Sequence, residues 1–254
     1  MYITIAIAVA ITFGLFQLII PLEESKKIDE ALLEKNGKKY ALYEGLAIFP
    51  LFLFMGTLIY IVYKTGNVLA EKLITDDGHK FFYAANAISW TMPGLILGFG
   101  VVGIPLERLY QFILKDEYPL YLEAANRRHG WDARKLMIPL SKVLMLAGSI
   151  SFVLLLNTSV RVTEDTIFIN KFFSFSERAY RLDEVDAIVY YDSKFAPNGD
   201  LVDNDQIIFY ANGVEVWSTE IAFLNDEPER FDPMIEFVSN RNQLDILEEG
   251  TYRY

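Results

Sequence analysis

Two ionisable side chains fall inside long apolar runs, where a charge must be paired, neutralised or brought to a surface. Glu44 lies about one turn into one run. Lys142 lies about two turns into another, counted from Lys135. A carboxylate and an ammonium at these depths form a candidate intramembrane polar pair, of the kind that serves ion or substrate movement. Both sit near the same membrane face, so the spacing predicts that they approach one another or reach that face together. Pairing would make the loss of one partner worse than the loss of both, because a lone buried charge is left uncompensated. The alternative is plain snorkelling, in which each side chain reaches the interface by itself.

Other clusters carry less chemistry. Asp76-Asp77-Gly78-His79 has metal-ligand types, but the chain holds only two histidines, His79 and His129, and no cysteine. A polar turn is the better reading. Asp200, Asp203 and Asp205 have the carboxylate spacing of a calcium loop. They lack the full EF-hand pattern and its closing glutamate, so a solvated hairpin loop is expected. No nucleophile elbow, phosphate loop or zinc-protease motif occurs. The expectation is a protein with no catalytic residues, no cofactor and no metal.

The elements that would hold Glu44 and Lys142 are four stretches without a charged side chain: Met1–Leu22, Gly45–Tyr63, Phe81–Leu106 and Val143–Val160. A helix of about 18 or more apolar residues crosses a hydrocarbon core of about 30 Å. Four transmembrane helices are expected, at about Tyr2–Ile20, Ala41–Tyr63, within Ala84–Leu106, and at Leu136–Leu156. The first lacks the positive flank of a signal peptide and reads as an uncleaved helix. Pro50 is a candidate kink. The third contains Pro93, Gly94, Gly98, Gly100, Gly103 and Pro105, which suits close helix packing or, more sharply, a substrate path.

Lysine and arginine mark the sides. Loop one (Glu23–Tyr40) and loop three (Glu107–Lys135) carry eleven between them, and loop two (Lys64–Lys80) carries three. The positive-inside rule then places loops one and three in the cytoplasm, with both termini outside. Gly130 is positioned to cap a helix ending at Arg127–His129. Trp131 beside Arg127, Arg128, Arg134 and Lys135 suits a surface helix touching anionic lipid head groups. An ordinary basic loop explains the same residues.

The chain changes character near residue 157. Residues 1–157 hold 15 Lys/Arg and 14 Asp/Glu, whereas residues 158–254 hold 8 and 20. So strongly acidic a domain would be repelled by nucleic acid, which is not expected as a partner. Two domains are expected, a membrane domain over 1–157 and a water-soluble one over 158–254. In the second, Ser159–Thr163, Thr166–Asn170, Ala179–Leu182, Val185–Tyr191, Gln206–Ala211 and Val214–Thr219 read as strands. Asn212-Gly213 between two of them is a strong hairpin signal. Asp232 is positioned to cap a last helix with Pro233 at its first position, and Phe231, Ile235 and Val238 share one face.

The segments Val160–Asn170, Phe172-Phe173 and Tyr180–Ile188, closed by that helix, resemble the bacterial pleckstrin-homology-like domains attached to membrane segments. The resemblance covers roughly Thr158–Asn242 and none of the apolar helices. It implies a small β-barrel capped by a helix, within an α+β membrane protein. It also implies an interaction or assembly role, with a protein partner or a second copy of the chain. Phosphoinositide binding does not carry over, because this domain lacks a basic pocket. Such domains are often cytoplasmic, opposite to the side that the loop charges favour. The expected function is a binding or scaffolding membrane protein. A small transporter or lipid-handling protein is the alternative, and an intramembrane enzyme ranks below both.

Overall fold

The computed structural model describes residues 30–73, 78–86, 88–174, 176–219 and 228–252, together with Gly14. The expected first span, Tyr2–Ile20, lies outside the described residues, as do Asp76 and Asp77. The chain divides into two compact units. One comprises Met1–Thr65 and Thr91–Val153, and the other Gly66–Trp90 and Leu154–Tyr254.

The first unit is helical. Its helices are α1 (Glu30–Leu46), α2 (Ile48–Leu73, entering the second unit), α3 (Thr91–Val101), α4 (Gly103–Leu114), α5 (Tyr118–His129) and α6 (Ala133–Asn157). The breaks have local causes. Pro50 has no N–H for the Leu46 carbonyl, and α1 gives way to α2 at Ala47. Pro105 likewise offers none to Val101, where α3 ends. The third apolar stretch is therefore not the single helix expected within Ala84–Leu106. It is a 3-10 turn at Ile88–Trp90 followed by two helices. Loop three is largely helical. Its helix α5 ends as the sequence suggests, with Gly130 at φ 74° and its N–H donating to the Asn126 carbonyl at 2.8 Å. Asp132 then caps α6 by accepting from the Arg134 N–H at 3.0 Å.

Among the described residues, three helical stretches, Glu30–Ala70, Ile88–His129 and Ala133–Asn157, are long and apolar enough to cross a membrane. Phe49, Phe52 and Leu53 of α2 point outward, as a lipid-facing surface requires. Glycines bring these helices together. A Cβ on Gly100 would lie 2.9 Å from the Met145 backbone nitrogen, and one on Gly148 would lie 2.6 Å from Leu97 Cγ. Gly94 meets the backbone of Ile59 in the same way.

The second unit holds two four-stranded sheets. The first runs β1 (Phe81–Ala84), β2 (Ser159–Val162), β3 (Thr166–Asn170) and β4 (Arg178–Arg181), in that order and antiparallel throughout. The second has the order β7-β6-β5-β8, built from β5 (Val185–Phe195), β6 (Leu201–Ala211), β7 (Val214–Ser218) and β8 (Ile246–Tyr252). The last of these runs parallel to β5. Helix α7 (Asp232–Asn242) completes the unit. Val160, Ile167, Ile188, Phe209, Trp217, Phe231, Ile235 and Val238 share one buried core drawn from both sheets and α7. Alternating in-and-out residues on β2 and β3 produce this core directly.

Three expectations change here. The sheets do not close into the barrel that the resemblance implies; they remain two sheets, each with its own edges. Residues 81–84, read as part of an apolar run, form a strand of the first sheet. Asp232 is the first helical residue rather than the cap, and Phe231 holds the cap position without a side-chain hydrogen bond. The hairpin signal holds: Asn212 and Gly213 have φ of 54° and 71°, as a type I′ turn needs. Asp203 and Asp205 lie within β6, where Asp205 accepts a 2.6 Å hydrogen bond from the Tyr190 hydroxyl.

Candidate functional site

Charge and aromatic rings concentrate in the first unit where α1 runs beside α5. The Arg127 guanidinium forks onto both Glu30 oxygens at 2.8 Å and reaches Glu123 at 2.7 Å. Lys39 meets Glu117 at 2.6 Å. The Glu44 carboxylate receives Arg128 on one oxygen and His129 on the other. Loops one and three of the sequence are thus joined as two helices by oppositely charged side chains.

Rings pack beneath these ion pairs. Tyr110 stacks on Tyr121 with centroids 5.2 Å apart, and Tyr40 meets Tyr121 edge-on. The Tyr110 hydroxyl donates to the Tyr43 carbonyl at 2.5 Å, which secures α4 to α1. Tyr40 is fully buried although it carries a polar tip, and that tip reaches Glu117 at 3.4 Å.

A cleft of about 280 Å³ opens beside this cluster. Its walls are mostly apolar, from Leu51, Val102, Leu106, Met137 and Ile138, with Tyr110, Tyr118 and Tyr121 at one side. One ion pair, Arg134 Nη2 to Glu107 at 3.1 Å, sits in the wall with both side chains largely buried. The cleft lining combines apolar surface, which suits a hydrocarbon chain, with one fixed ion pair, which suits a polar end. Among the described residues no group of three or more His, Cys, Asp or Glu is placed to hold a metal ion.

The structure brings together some of the expected residues and separates others. Glu44 meets Arg128 and His129 rather than Lys142, which is exposed on α6. Three of the four cations proposed for head groups meet carboxylates on other helices: Arg127, Arg128 and Arg134. Lys135 stands exposed, 3.8 Å from Asp132, and Trp131 is exposed beside His129. The role of Glu107 and Glu117 was not visible in the sequence, because both partners of each pair come from different helices. The spacing of Tyr118 and Tyr121, three apart on one helix face, was the available signal for the aromatic cluster. Compared with known protein families, with curated proteins and with solved structures, the chain has no match.

Proposed function

We propose that the chain is a multi-pass membrane protein that acts as a binding or scaffolding module through its β unit. The observation that carries this reading is β8. It is an edge strand of the second sheet, paired to β5 on one side, with Ile246 and Leu247 exposed. An edge strand offers a row of backbone donors and acceptors to an added strand. The occupant is an extended segment of a partner protein or of a second copy. Glu248 and Glu249 on the same strand favour a segment carrying lysine or arginine. A pleckstrin-homology-like ancestry, four crossings and a cell-membrane location belong to the same reading.

Purification of the full chain from its own membranes in mild detergent tests it, in parallel with the Ile246→Lys/Leu247→Lys variant. Stable association that the variant loses is the expected result. Recovery only as a partner-free monomer, in several detergents, would sink the reading.

Topology adds support. Because β1 pairs with β2, residues 81–84 and 159–162 belong on one side of a membrane. The chain between them then crosses an even number of times, and it contains two candidate spans. The loop charges favour the outside for the β unit. A compartment-specific reporter fused after Tyr254 tests the side.

A second reading, lipid handling, rests on the cleft with its Glu107–Arg134 pair. Mass spectrometry of co-purifying lipid, with and without Glu107→Gln, tests that alternative. An unchanged lipid profile counts against it.

A further inference from the structure

One turn in the β unit breaks the usual rule for turns. Lys171–Ser174 closes with the Ser174 N–H donating to the Lys171 carbonyl at 2.8 Å. Its two central residues are Phe172 and Phe173, where glycine, proline or asparagine would be ordinary. Phe172 is buried and holds Phe173 edge-on, with ring centroids 4.7 Å apart. Phe173 itself is 80% exposed. A phenylalanine held out at a turn tip gains nothing from water.

The register of the first sheet says what lies around that tip. Ala84 of β1, Ser159 of β2 and Asn170 of β3 are aligned across the three strands. From Ala84 the chain passes to Ile88, where one candidate span begins. Just before Ser159 is Asn157, where another candidate span ends. From Asn170 the chain enters the phenylalanine turn. The same end of the sheet therefore presents two helix termini and one apolar tip. The Asn157 side-chain amide reaches the Ser174 carbonyl at 3.5 Å, which ties the turn to the helix end. Ile88, at the start of the other span, is 70% exposed.

We infer that the Lys171–Ser174 turn is a lipid anchor, with Phe173 inserted at the boundary between head groups and acyl chains. Ile88 enters the same layer, and Lys171 beside it meets lipid phosphate. This rests on the multi-pass reading, because the helix ends define the membrane surface. An exposed phenylalanine gains by burying its ring at the boundary of head groups and acyl chains, and a basic neighbour adds attraction to anionic lipid. The acidic β unit is otherwise repelled by an anionic surface, so a short apolar and basic contact is the kind it can make.

The chain has no cysteine, so single replacements can be labelled cleanly. Phe173→Cys carries an environment-sensitive fluorophore in the full chain, reconstituted into phosphatidylcholine–phosphatidylglycerol vesicles. Phe52→Cys, on the exposed face of α2, is the reference for a spanning segment. The expected result at 173 is blue-shifted emission, stronger quenching by a shallow nitroxide lipid than by a deep one, and severalfold protection from aqueous iodide. The label at 52 is expected to respond most to the deep nitroxide. Lipid quenching at 52 with free iodide access at 173 overturns the anchor alone. Protection at 173 from both lipid nitroxide and iodide also overturns it, and would point to a protein contact. Loss of lipid quenching at both positions overturns the membrane reading itself. Lys171→Cys repeats the test at head-group depth if Phe173→Cys does not reconstitute.

Discussion

Where α3 passes α2 and α6, the contact is made at Gly94, Gly100 and Gly148; the core of the β unit is filled instead by Trp217, Phe209 and Phe231. If the apolar helices cross a membrane, the two regions solve one problem in two solvents. In water, large apolar side chains are driven inward, so bulk stabilises. Among lipid tails that drive is absent, and association depends on how closely backbones approach. Small residues then do in the bundle what tryptophan does between the sheets. The charged junction of α1 and α5 follows a third rule, with cohesion from paired charges over stacked tyrosines.

The largest loss is expected in the β unit. Trp217→Ala removes a buried ring packed on Phe209 and Phe231. A loss of about 3–5 kcal/mol is expected. Limited proteolysis should then cut within residues 158–252 at a much lower denaturant concentration. The opposite substitution tests the bundle. Gly148→Val forces a side chain onto Leu97, and a loss of about 1–3 kcal/mol follows from such overpacking. Gly103→Ala meets open space and should leave the melting temperature in detergent unchanged. Equal behaviour of the two glycine variants would remove close approach as the explanation.

The charged junction gives a smaller effect. Glu44→Gln takes the carboxylate from both Arg128 and His129, at a cost of about 1–2 kcal/mol. A double-mutant cycle sharpens this. Glu44 should couple to Arg128 and add independently to Lys142→Gln, as sites without shared contacts do.

The smallest and most gradual effect is alkaline. Burial raises the Tyr83 phenol above its ordinary value, with Arg230 opposing and Asp232 adding to the shift. Burial, then the Tyr210 hydroxyl, raises Tyr191 in the same direction. Both therefore favour the neutral form when folded. Their contribution is complete below about pH 10, where the unfolded phenol begins to ionise, and it falls as pH rises further. The unfolding midpoint of the β unit should decline above that pH and not below it. Tyr191→Phe should flatten the decline.

Much of this architecture could be read from residue order. Uncharged runs marked the apolar helices, Asn212-Gly213 marked a hairpin, and Gly130 marked a helix end. These signals are local, set by a few neighbouring residues. The partners of Glu44 were not legible, since they lie 84 and 85 residues away. β1 was hidden because Phe81–Ala84 is as apolar as the helix that follows it. β8 was hidden for the opposite reason: five of its seven residues are exposed, so it has no inward face to betray it. The barrel implied by the resemblance failed on pairing rather than on strand content. Most of the expected strands exist, but β1 and β8 join the edges of two separate sheets.

The pairing of β1 with β2 also sets a timetable for biosynthesis. β1 leaves the ribosome roughly 80 residues before β2, its partner strand among the described residues, an interval of roughly ten seconds at ordinary rates of synthesis. Throughout it, Phe81 and Tyr83 have no sheet to enter, while the apolar helices downstream are still being made. The first sheet thus begins to form only when β2 and β3 arrive, and β4 completes it. A ribosome stalled between residues 90 and 157 would leave a sticky strand that quality-control proteases can recognise, and completion of the chain would hide it.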